Sequence, residues 1–379
     1  MTTVNSISPQ WVQEVQNTAW GTLVTVDNNS IDTANFSWYY EMTPLINKSI
    51  SAGTTYSGNA IVSTYSLVYT SGVYAGGVIS PNGDIHFIPD GATVGQKISS
   101  VGIVSTYSLI NAAESYTGGV LDSNGDIHFI PFSASVGQKV NFNGVVSTYS
   151  LVYTDVNGSY AGGVLAPNGD IHFVPYSAPV GQKVSSAGVV STYSLVYTTT
   201  NAYFGGVLAP NGNIHFVPYN ASFGQKVSSA GVVSTYSLVY TTGNAYIGGV
   251  LAPNGDIHFV PTFGIVGQKV SVSGVVSTYS LVYTSPNASY NGGVLAPNGD
   301  IHFVPYSALV GQKVSSAGVV STYSLVYTSI SGAYQGGVLD QNGNIHFIIG
   351  GGIRGQKIHT FAAIPFNISL CCSSFFNKF

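Results

Sequence analysis

The run Gly162-Gly163-Val164-Leu165-Ala166-Pro167-Asn168-Gly169-Asp170-Ile171-His172-Phe173-Val174-Pro175 places a turn between two apolar segments. Asn-Gly in such a setting signals a β-hairpin, because a two-residue type I′ turn holds both central residues at positive φ, which Asn and Gly tolerate. Downstream, Gly181-Gln182-Lys183-Val184-Ser185 reads as a third strand and Ser186-Ala187-Gly188 as a second turn. The segment Val189–Thr198, Val-Val-Ser-Thr-Tyr-Ser-Leu-Val-Tyr-Thr, reads as a fourth and longer strand, rich in β-branched and aromatic residues. The unit shows no apolar spacing of helical period.

The unit recurs along the chain. Its histidines are His86, His128, His172, His215, His258, His302 and His346, set 42–44 residues apart. Gly-Gly precedes each of them, from Gly76-Gly77 to Gly336-Gly337, and Gly-Gln-Lys follows, with Lys97, Lys139, Lys183, Lys226, Lys269, Lys313 and Lys357. Four strands in about 40–45 residues is the size of a propeller blade. Seven copies therefore predict an all-β, seven-bladed β-propeller with four antiparallel strands per blade. The Gly-Gly strand is expected innermost, where blades crowd the axis and glycine permits close approach. In the fourth strand Tyr193, Leu195 and Tyr197 alternate with Thr192, Ser194 and Val196, and both sets are expected to be covered by neighbouring blades.

The phase of the repeat predicts how the ring closes. Ile61–Thr70 is a fourth-type strand with no first three strands before it, and the unit that begins at Gly336 lacks a fourth. The N-terminal strand is expected to supply the outer strand of the last blade, which removes open sheet edges. The chain then divides into a non-repeated extension (1–57), the propeller (58–361) and a tail (362–379). The extension holds Trp11, Trp20 and Trp38, a short helix expected over Pro9–Asn17 and a strand over Trp20–Val26. Both ends are expected to pack on the propeller or to bind a partner. Cys371 and Cys372 are adjacent in the tail and read as two plain thiols.

The string Gly-Gly-Val-Leu-Ala-Pro-Asn-Gly-Asp-Ile-His-Phe-Val-Pro resembles repeats of the form G-G-V-L-A-P-N-G-x-I-Y-x-x-P in uncharacterised proteins of bacteria, protists and large DNA viruses. It is also similar to the innermost hairpin of NHL-type blades. The resemblance covers about residues 60–360 and implies the propeller fold; it carries over no site residues, since propellers host many unrelated roles. This chain has His where those repeats often have Tyr, and it lacks the Trp-Asp pair of WD repeats.

Composition narrows the function classes. The chain has 379 residues, of which 45% are hydrophobic and only 6% charged, with a net charge of −4. No basic surplus favours nucleic acid. No stretch is long and apolar enough to span a membrane, and the N-terminus does not read as a secretory signal. The compartment stays open, with a virion and the cytoplasm both compatible. No Walker, Gly-x-Ser-x-Gly or His-Glu-x-x-His motif occurs, and no cofactor or metal is expected.

Among individual residues, the seven histidines invite a metal or pH-switch reading. One histidine per blade on a second strand sits too far from the others to share an ion, so a structural role is expected, buried and bonded to a hydroxyl such as Thr192 or Ser194. The lysines read as rim residues or partners of the aspartates Asp84, Asp126, Asp170, Asp256 and Asp300; Asn213 and Asn344 replace the aspartate in two units. Connections from the fourth strand to the next Gly-Gly vary, yet each keeps a tyrosine: Tyr74, Tyr116, Tyr160, Tyr203, Tyr246, Tyr290 and Tyr334. These are the candidate binding residues, on a loop face shared with the connections between strands two and three. The expected function is a non-enzymatic structural or protein-interaction scaffold, with a viral particle as one setting. A multivalent carbohydrate-binding lectin is the alternative.

Overall fold

The computed structural model describes residues 21–27, 30–36, 61–155, 157–285, 287–329 and 332–360. The chain forms two compact units, Ala60–Phe361 and one made of Met1–Asn59 with Ala362–Phe379. Within the latter, Gly21–Asp27 pairs antiparallel with Ser30–Phe36, close to the strand expected over Trp20–Val26. The expected helix over Pro9–Asn17 and the two cysteines lie outside the described residues. No helix among the described residues is long and apolar enough to cross a membrane.

The larger unit is a seven-bladed β-propeller, each blade a four-stranded antiparallel sheet. In the third blade the strands run Tyr160–Leu165, Ile171–Pro175, Val180–Val184 and Val190–Ser194 from the axis outward. The first hairpin differs from the two-residue turn expected. Gly169 donates its N–H to Ala166 O, and only Gly169 of the loop has positive φ, at 85°. Pro167 fixes a negative φ at the first turn position. The result is a three-residue loop, a type I turn followed by a left-handed glycine.

The ring closes through the N-terminal strand. Ile61–Tyr65 pairs antiparallel with Gly355–His359, with Val62 opposite Ile358 and Thr64 opposite Gln356. This strand ends at Tyr65 rather than Thr70, and the fourth strand of the third blade ends at Ser194 rather than Thr198. Beyond that point the chain crosses to the next blade, and its N–H groups turn to a new acceptor described below.

Tertiary packing explains the apolar pattern. The second strand Ile171–Pro175 is buried at every position. Val164 and Val174 of the third blade pack with Tyr203, Ile214 and Phe216 of the fourth, so each core lies between blades. A buried ring such as Phe216 contributes roughly 1.5–3 kcal/mol by leaving water. The outer strand departs from expectation on one face. Thr192, Ser194 and Val196 are exposed, with Val196 at 61%, because no neighbouring blade reaches the circumference.

The innermost strands carry a β-bulge between Tyr160 and Gly163, repeated at Tyr203 and Gly206. The extra residue kinks the strand and brings the first glycine of each Gly-Gly pair against that of the next blade. A Cβ on Gly205 would lie 2.9 Å from Gly248 Cα, and one on Gly336 would lie 2.9 Å from Gly76 Cα. The seven glycines thus form a closed ring about the axis.

Candidate functional site

The residues repeated in every blade build the scaffold. All seven histidines are buried. Each faces a tyrosine hydroxyl of the outer strand in its own blade, as in His172 Nδ1–Tyr193 Oη at 3.2 Å and His86–Tyr107 at 3.3 Å. His346 meets Tyr65 at 3.5 Å, across the closure. The hydroxyls expected as partners, Thr192 and Ser194, point to solvent instead, because alternation turns only Tyr193 inward. Burial, with a smaller push from Lys183, lowers the His172 pKa to about 4, and His86, His215, His258 and His302 are lowered to about 4 in the same way. These imidazoles are neutral at pH 7. His128 and His346 also meet Asp122 and Asp340, at 3.3 and 3.1 Å.

Five lysines, Lys97, Lys139, Lys183, Lys269 and Lys313, reach Asp84, Asp126, Asp170, Asp256 and Asp300 at 2.6–2.7 Å. The lysine holds the Asp170 carboxyl below its ordinary pKa, against the opposing effect of burial.

The seven tyrosines read as binding residues have no surface to offer. Tyr74, Tyr116, Tyr160, Tyr203, Tyr246, Tyr290 and Tyr334 are each 0% exposed. Tyr160 donates its hydroxyl to Val180 O at 3.1 Å, and its ring packs on Phe173 at 5.5 Å. This placement corrects the expectation: the residue beside Gly-Gly falls at the blade interface, where an aromatic ring fills the core.

Sequence reasoning passed over the glutamine of Gly-Gln-Lys. Gln96, Gln138, Gln182, Gln225, Gln268, Gln312 and Gln356 are all 0% exposed. Gln182 Oε1 accepts from Val152 N at 3.0 Å and Tyr153 N at 2.8 Å, both on the segment leaving the preceding blade. Gln96 does the same for Val68 and Tyr69 at the closure. The invariance of Gln between Gly and Lys is the signal that could have found this tie.

The sevenfold repeat breaks around one end of the axis. A cavity of about 330 Å³ there touches residues from six of the seven blades, a reach that only an axial position allows. Two sequence positions build most of it. One is the residue after each invariant tyrosine, supplying Thr117, Phe204, Ile247, Asn291 and Gln335. The other is the residue after the proline of the second strand, supplying Asp90, Phe132, Tyr219, Thr262 and Tyr306.

The lining is asymmetric. Phe132, Phe204 and Tyr219 form an aromatic arc of the lining, linked by Tyr176, itself outside the lining, at 5.2 Å from Phe132 and 5.9 and 6.0 Å from Phe204 and Tyr219. Burial raises the Tyr219 pKa, and the Tyr306 phenol adds to that shift. The remaining arc mixes the polar residues Thr262, Asn291, Gln335, Asp90 and Thr117 with Phe263, Ala288 and Tyr306. The Ser115 hydroxyl donates to the Asp90 carboxylate. Burial raises the Asp90 pKa above the usual carboxylate range, while the Ser115 bond opposes it.

Main-chain bonds between blades hold this mouth in shape. Tyr176 O accepts from Ala202 N at 2.6 Å, Tyr306 O from Ala333 N at 2.6 Å, and Thr262 O from Ser289 N at 2.8 Å. The loops are positioned before any ligand arrives, which lowers the entropic cost of binding. The sequence signal for the mouth was present but fine-grained. It lay in single variable residues beside invariant Tyr and Pro, not in the longer variable connections.

No protein-family model and no curated protein sequence matches the chain. Solved structures do share its fold. A streptogramin B lyase superposes with a TM-score of 0.70 at 19% identity, over 79% of this chain and 97% of that one. A catalytically inactive virginiamycin B lyase from Staphylococcus aureus with quinupristin gives 0.71 at 17% identity, over 80% of this chain and all of that one. The WD40 propeller domain of Doa1 gives 0.62 at 11%, over 80% and 99%. At these identities the likeness shows the fold alone. It also overturns the expectation that the chain is no enzyme: that expectation rested on a repeated scaffold without local motifs, and a propeller of the same fold is a lyase in the streptogramin B and virginiamycin B neighbours.

Proposed function

We propose that the chain is a recognition propeller, a scaffold that takes one protruding side chain of a partner protein into its axial mouth. The observation that carries this reading is the place where symmetry fails. The core positions repeat in all seven blades, while the two positions ringing the mouth are not kept across the blades and set an aromatic arc against a more polar one. A concave site with an apolar wall and a few convergent polar groups is the usual form of a binding pocket. Sparse charge suits short-range contact rather than steering. A virion or the cytoplasm could house such a scaffold. The lectin alternative, with equivalent sugar sites built from repeated Tyr, Asn and Asp between blades, has less support because the tyrosines are core and the five repeated aspartates are paired with lysines.

The test is selection of a random-peptide phage library on the full chain. Enriched peptides are expected to share one indispensable side chain and to lose at least tenfold in affinity for a Phe204→Ser, Tyr219→Ser double variant that melts like the parent. Peptides that bind both proteins equally would refute the reading. Incubation with quinupristin, the compound bound by the lyase neighbour, tests in the same preparation whether the mouth also turns over a ligand.

A further inference from the structure

We infer that the group accepted by the mouth is cationic, an ammonium or methylated ammonium such as a lysine side chain carries; this rests on the reading of the mouth as a binding site. The inference starts from one acid. Among the described residues, Asp90 is the sole carboxylate lining the cavity, and no lysine, arginine or histidine lines it. Seven other acids of the blades are held in ion pairs, Asp84, Asp126, Asp170, Asp256 and Asp300 with lysines and Asp122 and Asp340 with histidines, while Glu114 and Asp155, which do not line the cavity, accept hydrogen bonds from Ser135 and Asn157. Asp90 has no ion pair among the described residues. Its one side-chain bond is from the neutral Ser115 hydroxyl.

The position of Asp90 sharpens the point. In the following five blades the residue after the second-strand proline is Phe132, Tyr176, Tyr219, Thr262 or Tyr306. Asp90 therefore places a carboxylate where four of those five blades carry an aromatic ring. Aromatic faces attract cations through the ring quadrupole, and a carboxylate removed from water gains most from an opposite charge. The aliphatic stem of a lysine can lie along Phe204 and Ile247 while its head meets the acid. Amide and hydroxyl oxygens of Asn291, Gln335 and Thr117 offer acceptors for the N–H bonds of a primary ammonium. A quaternary ammonium would rely on the aromatic faces and on Asp90 alone. An anion has no donor of full charge in the mouth and would face Asp90.

Two pairs of probes test this, each a cation and its neutral counterpart: choline with 3,3-dimethylbutan-1-ol, and n-butylammonium with 1-butanol. Affinities are read by ligand-observed NMR on the full chain, with the library-selected peptide as competitor. At least one cation is expected to bind fivefold or more tightly than its neutral counterpart. Asp90→Asn, which keeps an acceptor for Ser115, is expected to abolish that preference, and Asp90→Ser to do the same. Preference for choline over butylammonium would identify a methylated group, and the reverse a primary amine; either supports the inference. Neutral probes that bind as tightly as the cations, or a preference that survives both substitutions, would overturn it. If the selected peptide still needs the mouth in that case, the recognition reading stands and only the charge assignment falls. If no peptide or probe is lost on the Phe204→Ser, Tyr219→Ser variant, both fall.

Discussion

Replacing Gln268 by leucine tests the inter-blade tie directly. Gln268 is fully buried, and its Oε1 accepts from Val239 N at 3.0 Å and Tyr240 N at 2.7 Å. Its Nε2 donates to Tyr240 O at 3.3 Å. Leucine fills similar space but leaves two part-buried N–H groups without their acceptor, each lost hydrogen bond costing about 0.5–1.5 kcal/mol. The expected loss is about 1–3 kcal/mol, since the segment lies half in water, with Val239 exposed. For a urea slope of about 3 kcal/mol/M the unfolding midpoint falls by about 0.3–1 M. Thr278→Val is the control: Thr278 pairs in register with Gln268 but faces solvent, so its effect should stay within about 0.5 kcal/mol. Hydrogen exchange gives a local readout, because the Val239 and Tyr240 amides should lose protection first. A midpoint equal to that of Thr278→Val, with both amides still protected, would refute the tie.

Two further outcomes follow from the scaffold. Gly205→Ala is expected to destabilise by about 2–5 kcal/mol, combining a left-handed alanine with a backbone clash at 2.9 Å against Gly248, whereas Gly188→Ala at φ 80° has open space and should cost about 1–2 kcal/mol; equal losses in urea titration would deny that the glycine ring is close-packed. Stability is also expected to fall as pH drops from about 6.5 toward 4. His86, His172, His215, His258 and His302 are held near 4 by burial, so the unfolded chain takes up protons that the folded chain refuses, and each forfeits up to about 3 kcal/mol by pH 4. Asp90, with its raised pKa, opposes this but is one group against five. The lowered carboxyls such as Asp170 add their loss only below their unfolded pKa near 3.8. Urea midpoints that stay flat between pH 6.5 and 4.5 would contradict the buried-neutral assignment.

The parts of this protein that were legible in its sequence are those that repetition makes redundant. Blade number, strand order and the closing role of Ile61 followed from phase alone, because a lone fourth strand at the N-terminal end and a unit lacking its fourth strand at the other have one way to hide their edges. Fine geometry was less legible. Tyr193 and Thr192 are neighbours in sequence, yet only contact with the second strand decides which meets His172. Tyr160 looked like a loop residue because it borders a variable connection, whereas the bulge at Gly162 draws it into the core. Gln182 was invisible for a related reason: its partners, Val152 and Tyr153, belong to another blade, and only three dimensions bring them together. The same logic locates the site. A residue kept in every blade meets a packing demand that recurs seven times, so invariance in a propeller points to scaffold. A ligand that is not sevenfold can only be met by residues that differ between blades and still converge. Among the described residues, those around Asp90, Phe204 and Gln335 satisfy both conditions, which is why the mouth, and not the ring of histidines, is where function is to be sought.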